Sequence, residues 1–243
     1  MKVDSKPYLL FDAGGTLVFP DQDFLIQQGQ AHHLDLTHDQ LFAGYCHVIY
    51  DLDYYLKEHS QLPVVWPLGY GQVLLKKLGV DGPTSDAVGY AWQEQNRLKN
   101  LWSFTFDWVS AALVQLGQLG YRMSVISNAD GRIKKMLTEL GLADYFEQIF
   151  DSTVLGVEKP DPAIFRICLT ELGLEPTEAL YIGDVYHIDV VGANRAKLGA
   201  LHLDPLDLYA GWSGVHLPNV GHLPAWLEQY KTNPSNFDLH PTR

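Results

Sequence analysis

The sequence predicts an α/β fold: a Rossmann-like, doubly wound parallel sheet core with an inserted α-helical domain. Three observations predict it. Short apolar runs without polar alternation recur along the chain, as strands buried on both faces should read. Amphipathic helical patterns separate the later runs, which implies parallel strands joined by helices. The stretch 20–104 carries no convincing strand pattern and is too long for a loop, so it is expected to be a domain of its own.

The bulk numbers agree with a folded chain. Of 243 residues, 47% are hydrophobic and 19% charged, enough apolar matter for a core. Lys and Arg number 17 against 29 Asp and Glu, a formal charge of −12. That balance argues against a nucleic-acid or anionic-membrane partner, though not against an anionic small molecule, which feels only the local field of its pocket. Two cysteines, Cys46 and Cys168, lie in helix-like apolar patterns. No disulfide framework is expected, and a reducing cytoplasm is the default location. The apolar run before Asp12 is too short for a signal-peptide core, and no run approaches the roughly 18 apolar residues of a membrane helix.

The elements follow in order. "YLLF" (8–11) is the first strand, and "LVFPDQDF" (17–24) is a hinge, with Pro20 restricting the backbone. Helices are expected at about 22–34, 67–78 and 85–99. Another spans 37–59, where Thr37 and Gln40 have capping-box spacing and Leu41, Tyr45, Val48, Leu52 and Leu56 fall on one face. A helix at 106–120 precedes a strand at 122–127. A helix at 131–142 follows, with Asp130 as its candidate N-cap, and then a weaker strand at 148–152. "DPAIFRICLTELG" (161–173) puts Asp161 at the N-cap, Pro162 at the first helical position and Gly173 just past the end. Strands at 179–183 and 200–204 close the pattern; a short helix at 223–230 and a loose tail from "KTNPSNFDLHPTR" come last. The boundaries are therefore 1–19 with 105–243 for the core and 20–104 for the insertion.

Ligands of such sheets bind beyond the carboxyl ends of the strands. Asp12, Ser127 and Asp184 all stand at or just past one. Asp12, followed by "GGT", reads as a nucleophile or metal ligand, or else as the start of a tight turn. Ser127 and Asn128 offer a hydroxyl and a backbone N–H to an anion, or simply cap the next helix. Lys159, in "GVEKPDP", is directed by the proline after it. It could neutralise a developing anion, or lie solvated on the surface. Asp184 could complete a hard-cation site with Asp12. Asp189 could pair with Lys159 or reach the metal through water, or serve as a first-turn helix acid. His187 reads as a surface or lining residue.

In combination these residues resemble the motifs of the haloacid dehalogenase (HAD) superfamily of hydrolases, in the branch with a helical cap inserted after the first motif. "FDAGGTL" looks like the first motif, "SN" at 127–128 the second, "GVEKPDPAIF" the third and "GDVYHIDVVGA" the fourth. The resemblance covers 8–19 and about 105–205, and the insertion matches in placement and helical character. It implies a nucleophile at Asp12 and an essential cation at Lys159. It implies anion contacts from Gly15, Thr16, Ser127, Asn128 and Lys159. Magnesium would be held by Asp12, the Gly14 carbonyl and Asp184, with Asp189 behind them. The implied partner is a small phosphorylated molecule, and the implied assembly a monomer or homodimer.

One position departs from the family's phosphatases, which usually read Asp-x-Asp. The second Asp protonates the leaving group and then activates water, and here that place is Gly14. Three readings follow. The first is a magnesium-dependent phosphatase whose proton comes from elsewhere (His47, Lys57 or His59 of the cap) or whose leaving group needs none. The second is a 2-haloacid dehalogenase, whose halide leaves unprotonated; that family usually carries Ser where this chain has Asp184. An unneutralised Asp184 would also repel a carboxylate substrate, by about 1 kcal/mol at 4 Å in water and more in a pocket. The third is a binding module with little turnover. The insertion is rich in aromatics (Tyr45, Tyr50, Tyr54, Tyr55, Trp66, Tyr70, Tyr90, Trp92, Trp102), most of them expected to pack between helices.

Overall fold

The computed structural model describes residues 6–59, 69–232 and 238–240. The chain divides into two units, Met1–Phe19 with Thr105–Arg243, and Pro20–Phe104. In chain order the strands are β1 (Tyr8–Phe11), β2 (Phe19–Pro20), β3 (Trp102–Phe104), β4 (Met123–Ser127), β5 (Ile149–Asp151), β6 (Ala179–Gly183), β7 (Gly199–Leu203) and β8 (Val215–Leu217). The helices are α1 (Gln22–Ala31), α2 (His38–Glu58), α3 (Tyr70–Lys77), α4 (Gly82–Leu98), α5 (Asp107–Gln118), α6 (Ile133–Glu139), α7 (Ser152–Leu155), α8 (Pro162–Leu172), α9 (Val190–Arg195) and α10 (Leu223–Thr232).

The first unit is built on a parallel six-stranded sheet of order β5-β4-β1-β6-β7-β8. β1, β4, β6 and β7 are buried along their whole length, which is why their sequences read as apolar runs. From β1 the chain adds β4 and β5 on one side and then returns to add β6, β7 and β8 on the other. The strand order therefore reverses at β1, and a crevice is expected at the carboxyl ends of β1 and β6. Leu10 is in register with Ser124 on one side and Tyr181 on the other. By the two-residue period, Asp12, Tyr181 and Gly183 project from one face of the sheet. α8 begins as its sequence signals: the Asp161 carboxylate accepts from the Ala163 amide (2.8 Å), Pro162 opens the helix, and Gly173 ends it in the left-handed region.

Among its described residues the second unit holds four helices, α1 to α4. α2 carries the capping box: Thr37 Oγ1 accepts from the Gln40 amide (3.3 Å), and Gln40 Oε1 from the Thr37 amide (3.0 Å). Leu41, Tyr45, Val48 and Leu52 are buried on its inner face. Tyr45, Tyr70, Trp92 and Trp102 form an aromatic nucleus with ring centroids 5.4–6.3 Å apart. Tyr54, Tyr55 and Tyr90 stay exposed, and Trp66 lies outside the described residues.

Several sequence expectations need correction. β8 was not anticipated; three residues between Gly214 and Pro218 are too few to show a pattern, and pairing with β7 makes the strand. The insertion does contain strand: Pro20 in β2, and β3 at its end. α6 is shorter than expected and is not capped by Asp130, whose carboxylate is gripped by Arg132 (2.6–3.0 Å) while Arg132 itself holds the cap position. The tail is tied where it is described. α10 runs to Thr232, and the Leu239 carbonyl accepts from Ala200 N and Asn194 Nδ2, both at 3.1 Å.

Candidate active site

The groups gathered around Asp12 and Lys159 belong to the first unit. Asp12 follows β1, its amide still paired to the Ile182 carbonyl (2.8 Å), so its carboxylate leaves from the end of the sheet. The chain then folds into a tight turn. Leu17 N and Val18 N both donate to the Ala13 carbonyl, and Gly15 N to the Val18 carbonyl, each at 2.8 Å. Gly15 has φ +79°, a left-handed conformation that glycine adopts without strain. Its N–H is engaged within the turn, and Thr16 is fully buried. The backbone N–H groups of both residues are therefore taken up by the turn. The Thr16 hydroxyl has no hydrogen-bond partner among the described residues. Gly14 bridges to Val18 across the same turn.

Lys159 is not a surface lysine: its side chain is 2% exposed. Its ammonium donates to Asp12 Oδ1 (2.5 Å), Tyr181 Oη (2.7 Å) and Asp189 Oδ1 (2.8 Å). Those three contacts engage all three N–H bonds of an ammonium. Asp189 takes the N-cap position of α9 without capping it through its side chain. Its second oxygen accepts from the Val185 amide (3.0 Å). This arrangement requires glycine at 183, where a Cβ would collide with the Asp189 carboxyl group.

Asp12, Asp184 and Asp189 are all buried, and each offers a carboxylate oxygen within 4.8 Å of the others. The Lys159 ammonium bridges Asp12 and Asp189, and the Asp184 carboxylate lies beside them. The donors are all hard oxygens, the set that suits magnesium or calcium rather than a soft metal. Both Asp189 oxygens already accept hydrogen bonds, so Asp12 and Asp184 are the better placed ligands. Burial raises the Asp12 pKa to about 6, against the pull of the Lys159 charge, and the neighbouring Asp189 charge adds to the rise. Burial alone would lower Lys159, yet Asp12 and Asp189 outweigh it and lift the ammonium above its ordinary range.

Ser127 ends β4, nearly buried. The Asn128 side chain turns away from any ligand role: its Nδ2 donates to the Lys159 carbonyl, and its Oδ1 accepts from the Lys159 amide, both at 2.8 Å. His187 is half-buried against Tyr186 and Trp212. His47 is half-buried in the second unit, where Lys57 and His59 are exposed.

Sequence reasoning missed four contributors. Tyr181 looked like one more apolar residue of "ALYIG", yet its hydroxyl sits between Lys159, Asp189 and the Ile126 carbonyl (3.0 Å). His202, inside "ALHLD", donates from Nε2 to the Asp184 carbonyl (2.9 Å); a carbonyl can only accept, which fixes the proton on that nitrogen. Asp151 and Ser152 tie down the loop after β4, at the Gly131 amide (2.9 Å) and the Ala129 amide (3.1 Å). A polar side chain within an apolar strand was the one available signal, and it marks Tyr181 and His202 alike.

Fold and site together define a doubly wound α/β core with an acid-rich centre at its switch point. Residues 8–197 match the family described as haloacid dehalogenase-like hydrolase, and the chain belongs to that family. It is 34% identical to a glyceraldehyde 3-phosphate phosphatase of Methanopyrus kandleri, over 52% of this chain and 54% of the relative. It is 36% identical to the haloacid dehalogenase-like hydrolase domain-containing protein 3 of Mus musculus, over 43% of this chain and 44% of the relative. The alignments thus span about half the length of these curated relatives. The fold is also that of the HAD-hydrolase YfnB of Bacillus subtilis, solved bound to magnesium, with a TM-score of 0.60 at 21% identity over 92% of this chain and 100% of the other.

Proposed function

We propose that this protein is a magnesium-dependent phosphatase of a small phosphorylated metabolite, acting through an aspartyl-phosphate on Asp12. The observation that carries this reading is the buried cluster of Asp12, Asp184 and Asp189 carboxylates, two of them on the Lys159 ammonium. Buried carboxylates gathered this closely suit a site that takes a cation. Asp12 and Asp184 would hold the ion, with the Gly14 carbonyl as a further candidate. Magnesium, when bound, would draw charge from the substrate phosphate and lower the pKa of Asp12. The phosphatase named among the relatives supports the same chemistry.

The chain's own residues then divide the work. The Asp12 carboxylate attacks phosphorus as the ester P–O bond breaks, leaving a phosphoryl group on Asp12 and releasing the alcohol or phenol oxygen. Lys159 holds Asp12 in position and keeps it ionised. The Ser127 hydroxyl and the Asn128 backbone N–H would hold a phosphate oxygen. Water then cleaves the acyl phosphate and returns Asp12. Gly14 can move no proton, so the fastest substrates are those whose leaving group needs none, and aryl phosphates should outrun alkyl phosphates. The helical unit Pro20–Phe104 is assigned as the cap that selects the substrate. We place the protein in the cytoplasm; no described helix is long and apolar enough to cross a membrane.

Gly14 also suits a 2-haloacid dehalogenase, but the acidic trio would repel a carboxylate substrate. The test is phosphate release from p-nitrophenyl phosphate with and without magnesium. Magnesium-dependent turnover, lost in Asp12→Asn and on chelation, is expected. Chloride release from 2-chloropropionate in chelator, without phosphate release, would replace this reading by dehalogenation.

A further inference from the structure

The side chains of Asn128 and Tyr181 have no part in the chemistry above, yet both are bonded to Lys159. Asn128 meets it at the backbone. One amide group accepts from the Lys159 N–H and donates to the Lys159 carbonyl, both at 2.8 Å. Lys159 lies between α7 and α8, outside any helix or strand, and needs such an anchor. The anchor is itself fixed. The residue after Asn128 is held through its amide by Ser152 Oγ (3.1 Å) and through its carbonyl by Thr153 Oγ1 (2.7 Å). Both partners belong to α7, which follows directly from β5 in the sheet.

Tyr181 meets Lys159 at the other end of its side chain. Its hydroxyl accepts from the ammonium at 2.7 Å, and Phe165 of α8 packs edge-on against its ring at 5.0 Å. A long side chain with four rotatable bonds is thus fixed at both ends. The ammonium is left no spare hydrogen for a substrate, so its influence runs through Asp12.

We propose that Asn128 and Tyr181 are the positioning residues of Lys159: the Asn128 side-chain amide sets its backbone, the Tyr181 hydroxyl sets its ammonium, and neither side chain contacts the substrate. The kinetic consequence rests on the phosphatase reading; the geometric one does not. Asn128→Ala keeps the backbone N–H that could bind an anion, and Tyr181→Phe keeps the ring. Each should therefore lower kcat with p-nitrophenyl phosphate and magnesium by about 10- to 100-fold while KM stays within about threefold. Ser127→Ala, which removes a direct contact, should raise KM instead.

Two measurements need no turnover. Labelling of Lys159 by an amine-reactive reagent, mapped by peptide mass spectrometry on the native protein, should be at least about tenfold faster in Asn128→Ala than in the wild type. The Lys159 amide of the wild-type protein should exchange with deuterium slowly, since Asn128 Oδ1 holds it. That second measurement decides the case even where Asn128→Ala fails to fold. Unchanged Lys159 labelling in a folded Asn128→Ala, or a wild-type Lys159 amide exchanging like an open loop, overturns the proposal. So does a rise in KM without loss of kcat in either variant. A wild-type protein with no phosphatase activity but a protected Lys159 amide would refute the proposed function and leave the positioning intact.

Discussion

At the scale of single residues, the protonation of Asp12 governs the site. Its folded pKa of about 6 stands above the ordinary 3.8, so the metal-free fold binds this proton more tightly than the unfolded chain. The stability linked to it is fully present below about pH 4 and is lost as pH rises through about 6. Asn mimics the protonated form. In metal-free protein, thermal melts should therefore show Asp12→Asn gaining on the wild type between pH 4 and pH 7, and a constant difference would refute the raised pKa. Activity runs the other way. It needs the carboxylate, so kcat/KM should fall on the acid side of a pKa at or below about 6, lower still with magnesium bound. Gly14→Asp supplies the absent acid–base group, and turnover on alkyl phosphates should rise by about tenfold or more while aryl phosphates gain little. No gain on alkyl phosphates would mean that a proton donor is already present. Gly183→Ala should do the opposite, since its Cβ strikes the Asp189 carboxyl group. Lys159 would lose a fixed partner, and kcat should fall with a destabilisation of about 1–3 kcal/mol in chemical denaturation.

At the scale of elements, the strand ends bring the site together and the helices supply its fit. α9 approaches the loop after Lys159 closely, because Gly192 lets Pro160 and Phe165 within van der Waals contact. Elsewhere the same device joins helices. A Cβ on Gly89 of α4 would lie 2.8 Å from Gln72 Cβ and 3.2 Å from the Gln72 backbone in α3, and backbone cannot swing aside. Gly89→Ala should destabilise the Pro20–Phe104 unit by about 1–3 kcal/mol despite the better helix propensity of alanine. Proteolysis should reveal this as earlier cleavage within 20–104. The boundary signals of α2 and α8 could be read directly because capping is local: Thr37 with Gln40, and Asp161 with Pro162. α6 could not, because Arg132 drew the Asp130 carboxylate away from its helix. β8 escaped for a related reason, a strand made by its neighbour rather than by its own three residues.

At the scale of the whole molecule, the proposed cation at the switch point would couple metal binding to stability. Any ion that binds the folded site and not the unfolded chain stabilises the fold by mass action, by about 2.7 kcal/mol at a hundred times its dissociation constant. Magnesium should raise the melting temperature of the wild type, and much less that of Asp184→Asn; equal shifts in the two would place the ion elsewhere. The sequence by itself determined the parallel sheet, the place of the insertion and the strand-end positions of Asp12, Ser127 and Asp184. Each of these follows from local periodicity or from where an apolar run stops. Only the tertiary structure decided that Lys159 is buried, that Asp189 and Tyr181 share its ammonium, and that the Asn128 side chain holds its backbone. Those bonds join residues from 22 to 31 positions apart. A single sequence carries no record of which polar groups meet once the strands are side by side.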